Sequence, residues 1–245
     1  MGETLVIAVA QPPCEPYDIT ANAAAHATAV RSAGARVVVF PELSLTGYEL
    51  DAKAISSQDP RLAPIVQACA ETGALALAGA PVHGEASRLY IATLAIDGTG
   101  ARVAYRKMCL GSTEAGRFTA GSEPAVLDVE GWRLGLAICK DTGIARHASD
   151  TAALGMDVYV AGTVKTAEES ARQDERARQV ATEHRVWVAV ASFAGSTGGG
   201  YARSAGRSGI WTPDGKVIAR AGPEAGAIAS ATLKAGRSNP SDSAR

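Results

Sequence analysis

Charge of one sign is scarce in this 245-residue chain: 24 lysines and arginines face 25 aspartates and glutamates, a formal net charge of −1. That balance removes the bulk attraction for nucleic acid that a basic domain carries. Long apolar runs are missing too. No stretch reaches the roughly 20 unbroken apolar residues of a membrane helix, so no membrane partner is expected. The first ten residues lack a basic segment, and their apolar run soon meets Gln11-Pro12-Pro13, which is not a secretory pattern. Val6 stands where the myristoylation pattern needs Ser or Thr. Cysteine is sparse. Cys14, Cys69, Cys109 and Cys139 lie far apart with no Cys-x-x-Cys, and His26, His83, His147 and His184 show no metal-type spacing. Neither a metal site nor a disulfide scaffold is expected, which leaves a cytoplasmic protein of enzyme size with free thiols. A Gly-x-Ser-x-Gly elbow is absent, so a serine hydrolase of that type lacks support. Gly198-Gly199-Gly200 lacks the Walker phosphate-binding pattern.

What is present is apolar mass: 47% hydrophobic against 20% charged residues, enough for a large core and contrary to disorder. Residues 5–10 are a short apolar run that suits a buried strand. Thr20 is placed to cap a helix through the alanines to Ser32, with Gly34 ending it. Residues 36–40 are β-branched and apolar, a second strand, and strand–helix–strand implies parallel pairing. Asp59-Pro60 opens a helix to Gly73, and residues 74–78 form a third strand. Hairpins are expected at 89–96/102–106 around Asp97-Gly98, at 126–129/132–138 around Glu130-Gly131, and at 210–211/216–219 around Pro213-Asp214-Gly215. Helices are predicted over 145–154 and 168–184. Strands are predicted over 157–161, 186–192 and 227–233. Roughly ten strands and four or five helices give a mixed α/β chain. Nothing in composition divides it, so residues 1–234 are expected to form one domain with a frayed tail over 235–245.

Three residues stand where strands end, and the carboxyl ends of strands are where α/β sheets place ligands. Cys139 closes the apolar run from Leu134 and precedes a helix, and Lys140 adds a charge that favours a thiolate. The plain alternative is a buried, inert cysteine. Glu42 follows Val37-Val38-Val39-Phe40-Pro41. Partial burial there would raise its pKa and suit proton transfer near neutral pH, although taken by itself it reads first as a salt-bridged or turn-capping glutamate. Lys107 ends the strand Arg102–Arg106, where an ammonium can face a developing oxyanion or simply lie in solvent. Nucleophile, base and cation together make a complete set for acyl transfer.

Several segments, taken together, carry a resemblance. They are Ala8-Val9-Ala10-Gln11, the run from Val39-Phe40-Pro41-Glu42 to Thr46-Gly47-Tyr48, Tyr105-Arg106-Lys107, Phe118-Thr119-Ala120-Gly121, Leu136-Ala137-Ile138-Cys139-Lys140-Asp141, and Ser208-Gly209-Ile210 with Pro213-Asp214-Gly215. In order and separation they resemble the nitrilase superfamily of carbon–nitrogen hydrolases over almost the whole chain. The resemblance implies a four-layer αββα sandwich with two mixed β-sheets. It implies a triad of Glu42, Lys107 and Cys139, with Glu114 matching the family's second glutamate and Tyr48 near the substrate. It also implies no cofactor and a homodimer or higher homo-oligomer. The expected activity is hydrolysis of a small amide at a non-peptide carbon–nitrogen bond. N-carbamoyl or ureido hydrolysis, nitrile hydrolysis, a non-catalytic binding module and a thiol redox protein using Cys109 are the alternatives. The chain departs from the family where Lys140 replaces an aromatic residue, Ile144-Ala145-Arg146 replaces Phe-Pro-Glu, and Met108-Cys109-Leu110 replaces Thr-His-Leu. Lys140, Arg117, Arg146 and His147 flank these motifs and are candidates to bind a substrate carboxylate, or are surface charges.

Overall fold

Alternating apolar strands and alanine-rich helices build two sheets in the computed structural model, which describes residues 4–235. The first half contributes β1 (Thr4–Ala10), α1 (Ile19–Ala33), β2 (Val37–Val39), α2 (Ala63–Thr72), β3 (Leu75–His83), β4 (Leu89–Asp97) and β5 (Gly100–Arg106). The second half contributes β6 (Ala125–Val129), β7 (Trp132–Ile138), α3 (Ala145–Ala153), β8 (Val158–Thr163), α4 (Ser170–His184) and β9 (Trp187–Ser192). Two-residue strands β10 (Ala194–Gly195) and β11 (Ser204–Ala205) pair with each other, and β12 (Gly209–Trp211), β13 (Val217–Arg220) and β14 (Ile228–Lys234) complete the chain. One sheet runs β14-β1-β2-β3-β4-β5 and the other β13-β12-β9-β8-β7-β6.

The packing follows from strand alternation. In β2, Val37 and Val39 face the core between the sheets, while Val38 joins the layer under α1 and α2. In β8, Val158 and Val160 face the same central core, while Tyr159 and Ala161 pack under α3 and α4. Both faces of these strands are covered, which is why they read as unbroken apolar runs. The result is the four-layer αββα sandwich. Its halves share a pattern: β14-β1-β2-β3 and β6-β7-β8-β9 each run antiparallel, parallel, parallel. β2 and β8 are thereby counterparts.

Local signals differ from expectation in a few places. Asp18, not Thr20, caps α1, its carboxylate accepting from Ala21 N at 3.0 Å, because the helix begins at Ile19 and a carboxylate just before it reaches the free amides. Gly34 ends that helix with φ 56°, as expected. The β4–β5 turn is Gly98-Thr99 rather than Asp97-Gly98: Asp97 pairs with Gly100 and accepts from Thr99 N at 2.8 Å. β3 extends nine residues, because β4 pairs along it as far as His83↔Leu89. The rough total of ten strands is low, yet every segment expected as a strand forms one; among the described residues only β10 and β11 are unforeseen, because two residues are too few to show periodicity. The tail expected to fray lies, beyond residue 235, outside the described residues. Among the described residues, no helix is long and apolar enough to cross a membrane.

Candidate active site

Glu42 lies in the turn after β2, which enters the space between the two sheets. Two glycines admit it, one from each sheet. A Cβ on Gly79 of β3 would stand 2.3 Å from Leu43 N and 2.6 Å from Pro41 O. A Cβ on Gly162 of β8 would stand 2.6 Å from Phe40 O and 2.9 Å from Glu42 N. Behind this turn, His26 Nε2 meets Ser44 Oγ at 2.8 Å, and Gly79 N donates to the same oxygen at 3.2 Å. The Glu42 side chain is buried, 0% exposed.

Lys107 follows β5, its backbone N donating to Ile91 O at 2.8 Å. Its ammonium donates to Glu42 Oε1 at 2.5 Å and to Glu114 Oε1 at 2.6 Å. Glu114 is held in turn by Tyr48 OH, which donates to Oε1 at 2.7 Å, and by Gly111 N, which donates to Oε2 at 2.6 Å. Glu42 Oε2 is buried with no hydrogen-bond partner, and Cys139 is close enough to influence this carboxylate.

Cys139 follows β7 at φ 42°, a left-handed conformation that is uncommon for a side chain other than glycine and clusters at functional turns. Asp141 fixes this elbow. Its Oδ2 accepts from Ile138 N at 2.9 Å and from Tyr105 OH at 2.8 Å, and its Oδ1 accepts from Cys109 N at 2.8 Å. One buried carboxylate therefore ties the Cys139 elbow to the loop that carries Lys107. Tyr105 OH also meets His147 Nε2 at 2.8 Å, and Tyr159 OH meets His147 Nδ1 at 2.9 Å. The thiol donates to Val164 O at 3.7 Å, and Lys165 Nζ donates to Sγ at 3.4 Å.

Burial dominates the electrostatics. It raises Glu42 above the ordinary carboxylate range, with Lys107 opposing and Glu114 reinforcing. Burial would raise Glu114 as well, but Lys107, Gly111 N–H and Tyr48 OH outweigh it and hold that carboxyl below its usual value. Burial works against the Lys107 ammonium, yet Glu42, Cys139 and Glu114 raise it. Burial, then Glu42, push the Cys139 thiol up to about 11, against Lys165 and Lys107. The resting sulfur is a thiol beside a carboxylate suited to accept its proton.

The structure brings Glu42, Lys107, Glu114, Tyr48 and Cys139 together. Other predicted residues lie elsewhere. Lys140 is exposed and donates to Leu110 O at 2.6 Å. Arg146 is 89% exposed and pairs with Asp150. His147 is enclosed by Tyr105 and Tyr159 and 2% exposed, so both ring nitrogens are taken and neither is presented to a substrate; burial lowers its pKa. Arg117 donates to Ala52 O at 2.8 Å. Gly199 N donates to Glu49 Oε1 at 3.0 Å, so the glycine-rich loop folds on a carboxylate of this chain. Sequence reasoning missed two residues. Tyr201 packs edge-on against Tyr48, ring centres 5.2 Å apart. Lys165 follows β8; the strand-end rule applied elsewhere would have found it. Among the described residues, no group of His, Cys, Asp and Glu is arranged to hold a metal ion.

Two facing mixed sheets under paired helices, with these side chains at their strand ends, define a hydrolase of the nitrilase superfamily. A family model described as Carbon-nitrogen hydrolase matches residues 6–240, and the chain belongs to that family. The protein described as "Hydrolase in pqqF 5'region" of Pseudomonas protegens is 31% identical over 232 residues, 90% of this chain and 80% of that protein. Among solved structures, Nit3 of Saccharomyces cerevisiae, a member of branch 10 of the nitrilase superfamily, superimposes with a TM-score of 0.84 at 21% identity, over 96% of this chain and 91% of that one. An amidase from Nesterenkonia sp. AN1, solved with acrylamide added to its active-site cysteine, gives 0.83 at 23% identity over 94% and 93%. Both establish the fold.

Proposed function

We propose that this carbon–nitrogen hydrolase cleaves the amide of a small molecule through a thioester on Cys139. The observation that carries it is the shared position of Lys107, bonded to Glu42 Oε1, with the other Glu42 oxygen buried and free of any hydrogen-bond partner. As Sγ attacks the carbonyl carbon, the thiol proton passes to Glu42 Oε2. The oxyanion is held by the Lys107 ammonium and by the backbone N–H of Lys140, the first amide past the nucleophile. Glu42 returns the proton to the departing nitrogen as the C–N bond breaks, leaving the thioester and releasing ammonia or an amine. Water then gives a proton to Glu42 and attacks the thioester. The C–S bond breaks, the sulfur recovers that proton, and a carboxylic acid leaves. Glu114, braced by Tyr48, keeps Lys107 aimed between the two carboxylates.

The amidase of Nesterenkonia supports placing amides ahead of ureido compounds and nitriles. A screen for ammonia release tests this: a panel of simple amides, ω-amides, N-carbamoyl amino acids and nitriles, with Cys139→Ala as the blank. Release from an amide above that blank is expected. Release confined to the carbamoyl or nitrile arm would replace the amidase reading. Rapid iodoacetamide labelling of Cys139 with no turnover on any arm would favour a binding module.

A further inference from the structure

We infer that Lys165 is a second catalytic cation of this site, holding the negative charge on Cys139 Sγ whenever the sulfur is without its proton or its acyl group. The inference rests on the reading of Cys139 as nucleophile. Lys165 is 7% exposed, and its Nζ donates to Sγ at 3.4 Å. Among the described residues it has no carboxylate within ion-pair distance, whereas the neighbouring Lys107 has two. A buried ammonium without a carboxylate partner is costly, so a sulfur able to become negative is the group that gives its position a use.

Position and charge agree. β8 lies parallel beside β7, with Gly162 opposite Ile138, so the segment leaving β8 arrives at the residue that leaves β7. That segment is anchored: Ala205 N donates to Lys165 O at 2.8 Å, and the preceding carbonyl, Val164 O, receives the thiol. In the matching halves of the fold, Lys165 follows β8 as Glu42 follows β2. The sulfur thus has a cation within bonding reach in a site that also holds the proton acceptor. Glu42, Glu114 and Lys107 alone sum to one negative charge, which opposes making a thiolate. Lys165 brings the set to neutrality. When the proton moves from Sγ to Glu42, negative charge leaves a carboxylate and appears on sulfur within reach of Lys165. When the thioester breaks down, the C–S electron pair returns to sulfur and meets the same ammonium before Glu42 supplies the proton.

The test compares Lys165→Met, Lys165→Gln and Lys165→Arg with the wild type by two readouts: the pH dependence of iodoacetamide alkylation at Cys139, read by peptide mass mapping, and kcat/KM for a neutral and an anionic amide. Melting curves select the variants that fold, with Gln standing in where Met does not. Loss of the cation is expected to slow alkylation at pH 8 at least tenfold, to move its profile to higher pH, and to lower kcat/KM at least tenfold for both amides. Arg should recover part of each. Unchanged alkylation in a folded variant overturns the inference. Unchanged alkylation with KM raised for the anionic amide alone overturns it too, and makes Lys165 a substrate-carboxylate site. If no amide is turned over by the wild type, the amidase reading fails, while alkylation still decides the role of Lys165.

Discussion

Replacing Lys107 by methionine removes the one group that bonds both buried carboxylates, and its effects separate catalysis from stability. Its ammonium lies 2.5 Å from Glu42 Oε1 and 2.6 Å from Glu114 Oε1, with both glutamates almost fully enclosed. A single preorganised oxyanion donor is typically worth ~3 kcal/mol, so turnover should fall at least about a hundredfold. A second loss compounds the first. Lys107 is the main influence opposing burial at Glu42. Without it that carboxyl rises further and is pushed toward its neutral form, which cannot accept a proton from the thiol. Breaking a buried ion pair by deleting one partner costs ~3–5 kcal/mol, and urea unfolding should show a loss on that scale. The assay is initial-rate ammonia release at saturating amide, beside urea titrations and alkylation of Cys139. Lys107→Arg should not rescue, because a guanidinium needs more room than two contacts this short allow. A folded Lys107→Met enzyme within tenfold of wild-type turnover would refute the scheme, whatever its stability.

Other consequences are equally concrete. Gly162→Ala would force the Phe40-Pro41-Glu42 turn away by its backbone, so kcat should fall at least tenfold and stability by ~1–3 kcal/mol; wild-type kcat would show that the two-sided glycine slot does not position Glu42. The raised Glu42 should place the acidic limb of kcat/KM above pH 4.5, its ordinary value; a limb at or below that pH would mean another group is the base. His26 is fully buried and burial lowers it from 6.5 to about 4. Protonation therefore favours the unfolded chain: its contribution is complete above pH 6.5 and is lost as pH falls toward 4, a difference worth about 3 kcal/mol. Urea unfolding at pH 7 and pH 4 should show that slope, and His26→Gln should flatten it; an unchanged slope in the variant would assign the acid sensitivity elsewhere.

The sequence exposed what depends on strand ends and hid what depends on facing. Glu42, Lys107 and Cys139 were legible because each closes an apolar run, and parallel neighbours such as β7 and β8 deliver their ends to one edge. Arg146 and His147 are adjacent in sequence, yet successive helix positions point about 100° apart. One side chain of α3 therefore enters solvent and the other enters the Tyr105–Asp141 cluster. A motif-based reading treats them alike, whereas the helix treats them oppositely. The matched halves were invisible because what repeats is strand direction and order, which few particular residues are needed to specify. Lys165 falls between these cases. It follows a buried strand as plainly as Glu42 does, but Thr166-Ala167-Glu168-Glu169 comes next, and a lysine before a polar helix entry reads as solvated. Burial is decided instead by the returning chain: Ala205 N reaches over to Lys165 O, and Thr166 bridges to Ser204, closing the segment from solvent. That pairing spans about forty residues of loop and strand, a distance over which local pattern carries no information. Applied to β2, β5, β7 and β8 alike, the strand-end rule yields an acid, a cation, a thiol and a second cation. With Glu114 behind Lys107, those side chains are electrically balanced only when all are counted. A charge count over every buried strand end is thus a stronger test of such a site than a match to its three best-known members.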